Sequence, residues 1–575
     1  MKLAKLFNRT EDARRSKTTS SSDSSGKRTS CSGEDSKPLP QPPPDEDEAV
    51  SRLVILPTDS TFTPLPYPSI ENKRFSLAFD NFPVQTSLRV LVVGCGFAGL
   101  SAAIAAARQG YDVTVLERST GISQHGDSVI LGSNATLLLH RWGCGEELWL
   151  QSSRGKYMVF KDSQGKTLHK EDLEELPSRY GAPLLQGKRS QFLASLGVQA
   201  RLLGVRFEYN REVVGYDDSS DRPGVILENR ELRRADVIIV CDGINSTSRT
   251  LLPQSGEKAS TSRRSSGYSI HRAVIDSDVI ARDPACSYLL DGDIRTWLGD
   301  DAHVSIYPID SGRQIAFTYT HKDVDGSSSL DWRSLRPIST MLDSLKEWDE
   351  SLQKALSKFT KVLHWQILEG DVQEEWVSKG GKICFGGDAV HPLVPTSIQG
   401  ASQSVEDGAT IALCLSLAGG NREGIVLALK AYEQIRKPRV ELAARLGRKQ
   451  LQILHTFTLR NSPYRTSQRF SWYESSPVPS NPSNDDGGLN RLSAFIANPC
   501  ILRPLSFQLY GFDAEEHARS NWDDVVREVI QARHRPLTGL SKEMEAATRN
   551  WAQTIRSRKD SCLAFPIESF NPRNH

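Results

Sequence analysis

Three short runs in this 575-residue chain carry residue types that bind phosphates and polyols. The first is Gly94-Cys95-Gly96-Phe97-Ala98-Gly99, between the apolar run Leu88 to Val93 and the alanine-rich stretch Ala98 to Arg108. A strand, a glycine turn and a helix in that order form the frame in which GxGxxG binds a dinucleotide. Gly94 permits the tight turn, Gly96 lets a pyrophosphate approach backbone N–H groups, and Gly99 lets helix and strand pack closely. The helix N-terminus adds partial positive charge. Glu117 ends the next strand-like run, DVTVLE, where it is placed to accept hydrogen bonds from a ribose diol. Arg118 points away by strand alternation and reads as an adenine-edge or surface residue. The second run, Cys241-Asp242-Gly243-Ile244-Asn245-Ser246 with Arg249 beyond it, follows the apolar ADVIIVC. Alone it is an ordinary Asp-Gly turn, but at the carboxyl edge of a parallel sheet it sets a carboxylate where ligands bind. The third is Gly386-Gly387-Asp388 with His391, Pro395, Gln399-Gly400-Ala401 and Glu406-Asp407-Gly408. The strand KICF brings Asp388 to the same edge, in reach of a polyol. A helix beginning near Gln399 aims its N-terminus at the ligand, which stabilises an anion by about 0.3–1 kcal/mol when exposed and up to about 2 when partly buried.

The elements that position these residues follow from periodicity. Leu88–Val93, Ala98–Arg108 and DVTVLE make a strand–helix–strand unit, and Ala235–Cys241 and Lys382–Phe385 are further buried strands. The middle of the chain reads differently. Ser269–Asp276, Arg295–Gly299, His303–Ile309 and Gln314–His321 alternate as antiparallel strands with one wet face. From Val405 to about Leu454 the pattern is helical, and the last hundred residues mix short helices and loops. Residues 1–85 are rich in Ser and Pro and read as a disordered tail, and Glu474–Gly488 reads as an exposed loop.

Bulk composition narrows the function classes. The formal net charge of +1 removes the electrostatic case for nucleic-acid binding. No apolar run approaches the roughly 18 residues of a spanning helix. Nine cysteines without CxxC or Cys/His spacing argue against a disulfide framework and against a zinc module, so no metal ligand is assigned. The N-terminus lacks an apolar core, which points to a cytoplasmic protein; its basic start is broken by Glu11 and Asp12, which weakens a transit-peptide reading.

Taken in order, GxGxxG, then DG, then GD with a following P…QG…ED, these runs resemble the single-component FAD-dependent aromatic-ring monooxygenases of the p-hydroxybenzoate hydroxylase fold, with the closest resemblance to the salicylate-hydroxylase-like branch and its fungal members. The resemblance spans about Leu88 to Arg445. It is supported by Gly126–Leu131 with Asn134, Lys188-Arg189-Ser190, Gly267-Tyr268 with His271-Arg272, Trp297–Gly299 with His303 and Tyr307-Pro308, and Tyr510–Asp513. It implies an α/β fold: a Rossmann-like FAD-binding domain (86–262 and 371–445), an inserted mixed β-sheet substrate domain (263–370) and a helical C-terminal region (446–575). It implies FAD as cofactor, NADPH or NADH as co-substrate, and O2. It further implies a phenol- or polyketide-like small molecule that is hydroxylated or epoxidised through a C4a-hydroperoxyflavin.

Residue by residue, the resemblance implies that Gly94, Gly96 and Gly99 hold the pyrophosphate and Glu117 the ribose. Ile130 touches the cofactor through its backbone, Arg189 the flavin or its ribityl-phosphate chain, Asp388 the ribityl chain, and Ala401 the isoalloxazine through its N–H. Arg272 and Tyr268 face the substrate, with Arg272 the leading catalytic candidate; His391 and His303 read as capping or packing residues. The chain has one well-placed GxGxxG, in keeping with a family that has no separate nicotinamide domain. An FAD-dependent halogenase or reductase on the same fold is the alternative, and a non-catalytic flavin scaffold a further one; the WxWxIP-like motif of such halogenases is absent. The chain departs from the family at Asp127, beside the flavin turn, at Asn245, where a basic residue is common, and at Ser397-Ile398, a stiffer version of a glycine-rich loop.

Overall fold

The computed structural model describes residues 87–123, 128–219, 221–253, 264–323, 334–455 and 507–532, all within one unit, Leu65–His575. The expectations for the 1–85 tail, for Asp127 and for the Glu474–Gly488 loop fall outside these residues. A five-stranded parallel sheet runs in the order Ile383–Phe385, Val237–Val240, Arg89–Val93, Asp112–Leu116, Arg206–Glu208. Its central strands are runs of Val and Ile buried on both faces, as a covered parallel sheet requires. The helix Phe97–Arg108 lies against it, and its small Ala side chains let a second helix, Gly400–Leu417, cross very closely. A Cβ at Gly408 would sit 2.5 Å from the Ala102 backbone nitrogen, so that crossing requires glycine. Gly400–Leu417 is buried almost all round, as expected of a helix in the centre of a large core. Where the sequence reads as continuously helical, Gly419 and Gly420, both at positive φ, separate it from the 31-residue helix Ile425–His455.

A second, eight-stranded sheet is ordered Leu335–Pro337, Lys361–Glu369, Arg264–Asp276, Gln314–Lys322, Ala302–Ile309, Ile294–Gly299, Tyr157–Asp162, Thr167–Asp172. All its pairs are antiparallel except Ile294–Gly299 with Tyr157–Asp162. Its last two strands come from inside the 86–262 stretch, a hairpin turned at Gly165 (φ 83°), so the chain does not switch between the two sheets at a single boundary near 262. One face of the sheet packs on a separate core of Ile306, Phe317, Met341, Leu352 and Phe359. The other face is left to line a cavity. The segment after residue 506 folds back on the nucleotide-binding side: Arg141 pairs with Asp513 and Glu515, and Tyr510 is fully buried against Gly132. Among the described residues, no helix is long and apolar enough to cross a membrane.

Candidate active site

The parallel sheet gathers the three sequence runs because all its strands point the same way. Val93 leads into Gly94, Leu116 into Glu117, Val240 into Cys241-Asp242, and Phe385 into Gly386 and Asp388. Gly94 sits at φ 100°, and a Cβ there would lie 2.4 Å from the Cys241 carbonyl oxygen. At Gly99 a Cβ would lie 1.9 Å from the Gly94 carbonyl oxygen. Gly96 is the opposite case: a Cβ there would meet nothing within 4 Å, and the same holds at Gly243 and Gly400. Two glycines thus close the turn, while Gly96 leaves room in front of the helix N-terminus for a ligand. The Glu117 carboxylate accepts from the backbone N–H groups of Cys95 (2.9 Å) and Ser119 (2.9 Å), which anchors it at the mouth of the turn. Burial, reinforced by Glu117, pushes the Cys95 thiol up to about 12, so this cysteine is no nucleophile.

The loops are tied together from behind. Arg249 donates from Nε to the Ala389 carbonyl (2.6 Å) and from Nη2 to the carbonyls of Asp388 (2.8 Å) and Ile244 (3.0 Å), so the DG run holds the GD run in place. Asp407 accepts from the Gly387 N–H (2.8 Å) and pairs with His391 Nε2. Arg436, fully buried, bridges Asp407 and Glu406. Arg439 pairs with Glu406, donates to the Leu509 carbonyl (2.7 Å) and covers the Phe512 ring. His391 therefore belongs to this charge lattice, in agreement with the packing role expected of it. The Asp388 carboxyl differs: it is half-buried, and no donor among the described residues is hydrogen-bonded to it. Burial raises it above the usual carboxylate range, against the pull of His391, Arg189 and Arg249. Arg189 opens the helix Arg189–Leu202 and lies over the Phe97 ring.

A cavity of about 270 Å³ lies between the eight-stranded sheet and the segment Pro395–Ala401. The sheet contributes alternate residues of five adjacent strands: Ile270 and Arg272, Thr318 and Thr320, His303, Ser305 and Tyr307, Ile294 and Thr296, Met158 and Phe160. Ser128, Val129, Ile130, Pro395, Thr396, Ile398, Gly400, Ala401, Gln450 and Leu454 complete the wall. Among the described residues the lining holds no carboxylate, and its one permanent cation is Arg272. That guanidinium donates to Ser128 Oγ (2.6 Å) and more weakly to the Ser128 carbonyl (3.3 Å), and Ser128 Oγ is 2.8 Å from the Tyr307 hydroxyl. His303 Nδ1 is 2.7 Å from His455 Nε2, and burial holds the two imidazoles at about 3 and about 4, so both are neutral near pH 7. Ile398 stands at φ 54°, ψ 19° immediately before the helix. A β-branched residue in that region is strained by roughly 1–3 kcal/mol.

Of the sequence-predicted residues, Gly94, Gly96, Gly99, Glu117 and Asp388 stand along the sheet edge, whereas Ile130, Ala401 and Arg272 line the cavity. Tyr268 is not among the lining residues: it lies on the same face of its strand as Ile270 and Arg272, and its half-buried ring packs on His455, 4.8 Å between centroids. Ser128, Tyr307 and the threonines 296, 318 and 320 are site residues that the motif reading left unassigned. For Tyr307 and the threonines the signal was the two-residue alternation of the strands that carry them, with Arg272 fixing the inward parity; Ser128 precedes the strand Val129–Leu131 and has no such signal.

The donor set suits FAD: an open glycine for the pyrophosphate, an unsatisfied carboxylate for ribityl hydroxyls and a helix N-terminus for the electron-rich ring. Fold and site together define a flavin-dependent oxygenase. Residues 87–446 match the FAD binding domain family. The chain is 31% identical to asperlicin C monooxygenase of Petromyces alliaceus over 376 residues, 63% of this chain and 79% of that one. Its fold matches the crystal structure of CtdE with FAD and substrate (TM-score 0.63, 22% identity, 77% of this chain and 100% of that one). It also matches a salicylate hydroxylase substrate complex (TM-score 0.58, 19% identity, 75% and 97%). The chain belongs to the FAD binding domain family and is an FAD-dependent monooxygenase, which uses NAD(P)H, O2 and a small-molecule substrate. The halogenase alternative is not favoured by these relatives.

Proposed function

We propose that this monooxygenase oxygenates a phenol- or enol-bearing, polyketide-like ring held in the cavity between Arg272 and Ala401. In this reading Gly94, Gly96 and Gly99 take the pyrophosphate and Glu117 the adenosine ribose. Asp388 and Arg189 hold the ribityl-phosphate chain, and the Ile130 and Ala401 backbones border the isoalloxazine. The observation that carries it is the cavity wall itself: apolar side chains, hydroxyls and a neutral histidine, with a single positive charge among the described residues. Such a wall accepts a flat, electron-rich ring and favours one oxygen that bears developing negative charge. Tyr268 packs on His455, which is hydrogen-bonded to the lining residue His303, and acts on the site through that pair.

FAD, when bound, supplies the electron transfer from NAD(P)H and the activation of oxygen. The chain supplies the rest. Met158, Phe160, Ile270, Ile294 and Leu454 exclude water from the reacting centre. Arg272, braced by Ser128 and Tyr307, orients the substrate oxygen and stabilises its anionic form. The N-terminus of Gly400–Leu417 favours negative charge at the ring edge next to Ala401. The test is NADPH oxidation and oxygen uptake by the purified enzyme against a panel of phenols and enolic polyketides. Substrate-dependent oxidation with a product one oxygen heavier supports the reading. Oxidation stimulated by no member of the panel overturns the assigned substrate class.

A further inference from the structure

The eight-stranded sheet carries a second cluster on the face away from the cavity. His271 and His364 are directly opposed across two strands, and His321 projects from the strand on the other side of His271. Because side chains alternate, all three point away from Ile270, Arg272 and Thr320, which line the cavity. The rings of His271 and His364 stack 3.9 Å apart, and His321 lies 5.1 Å from His271. One ring nitrogen from each comes within 4.8 Å of the others. Two of the nitrogens have an observation of their own: His271 Nδ1 and His321 Nε2 are buried with no hydrogen-bond partner among the described residues. His321 Nδ1 is 3.0 Å from the Lys322 carbonyl, a contact that places the proton on Nδ1 and leaves Nε2 with a lone pair to donate.

We propose that His271, His321 and His364 form a binding site for a divalent transition metal of the zinc type. Three imidazoles with no carboxylate among them select Zn2+, Cu2+ or Ni2+ over Mg2+ or Ca2+. With three protein ligands the fourth position is open to water. The charged groups acting on the cluster are Asp323, which favours a cation at His321 and His364, and Arg336, which opposes it at His364. Zinc–nitrogen bonds of about 2.0–2.1 Å draw the nitrogens to roughly 3.3 Å of each other in a tetrahedral site, so binding turns His271 and His364 out of their parallel stack. The bound ion would brace three strands, two of which carry cavity wall on their other side, and it takes no part in the oxygenation described above.

The experiment uses full-length, flavin-loaded enzyme stripped with EDTA and titrated with Zn2+ against a chromogenic chelator, in the wild type and in His364→Ala and His321→Gln. Both are half-buried positions, and retained flavin reports that each variant folds. One equivalent of Zn2+ in the wild type, weakened at least roughly tenfold in each variant and not displaced by excess Mg2+, supports the site. Absence of stoichiometric binding overturns it. So does binding that both variants leave unchanged, because the ion would then sit on other groups.

Discussion

Gly96 and Gly99 stand three residues apart, yet alanine at each should fail in a different way. Gly96 has φ −84° and ψ −170°, which any residue adopts, and its missing Cβ points into open space. In the apoprotein Gly96→Ala should therefore be neutral or stabilising by about 0.4–1 kcal/mol, through the less flexible unfolded chain. With FAD, the new methyl occupies the approach of the pyrophosphate. Crowding of that kind costs about 1–3 kcal/mol, which at 1.4 kcal/mol per tenfold weakens FAD binding roughly 5- to 150-fold. Gly99→Ala drives a methyl into the Gly94 carbonyl oxygen, which the contact of 1.9 Å forbids, so it should lower apoprotein stability and FAD affinity together. Flavin-fluorescence titration and thermal unfolding with and without FAD separate the two. A Gly96→Ala enzyme that binds FAD within about twofold of wild type, less than 0.5 kcal/mol by the same conversion, would refute the placement of the pyrophosphate.

Four further expectations follow from the same geometry. Asp388→Ala should yield folded but largely colourless protein, checked by circular dichroism and flavin absorbance; full flavin occupancy would count against its ribityl role. Arg272→Ala should keep its flavin but divert NADPH oxidation to hydrogen peroxide, and product-to-NADPH ratios that match wild type would make Arg272 structural only. Arg436→Met leaves Glu406 and Asp407 buried with less compensation and should cost about 3–5 kcal/mol in denaturant unfolding. The same lattice sets an acid limit. Burial alone would raise Glu406 and Asp407, but Arg439 and Arg436 at the first, and His391 and Arg436 at the second, hold both below the usual carboxylate range. With folded-state values depressed, their stabilisation is complete above about pH 4–4.5 and is lost as pH falls through the depressed values. Unfolding midpoints measured across that window should fall toward acid, and less steeply in Glu406→Gln.

The sequence exposed the cradle because each part has a local signature. Gly94 and Gly99 are steric necessities, and an apolar run before Asp242 or Asp388 marks a buried parallel strand that ends in a polar loop. The cavity was less legible. Arg272 was read only through the resemblance of Gly267-Tyr268 with His271-Arg272; Tyr307 and the threonines become site residues because five strands align in register, a long-range property, and Ser128 through its contacts with Arg272 and Tyr307. The hairpin Tyr157–Asp172 illustrates the limit: its residues lie far from the other substrate-sheet strands in the chain and join them through one parallel pairing. The Glu406–Arg436–Arg439 lattice was visible only as scattered charge, since its partners are about thirty residues apart on two helices. Tyr268 was placed by analogy on the strand that carries Arg272, but its ring packs on His455 and is not part of the cavity lining.

The most direct test of the central claim is an experimental structure of the enzyme with FAD bound. A single FAD is expected to lie extended from Glu117 across Gly96 to Asp388, its ring beside Ala401 and open to the cavity that holds Arg272. A flavin found away from that edge, or one whose ring is walled off from Arg272, would contradict the account.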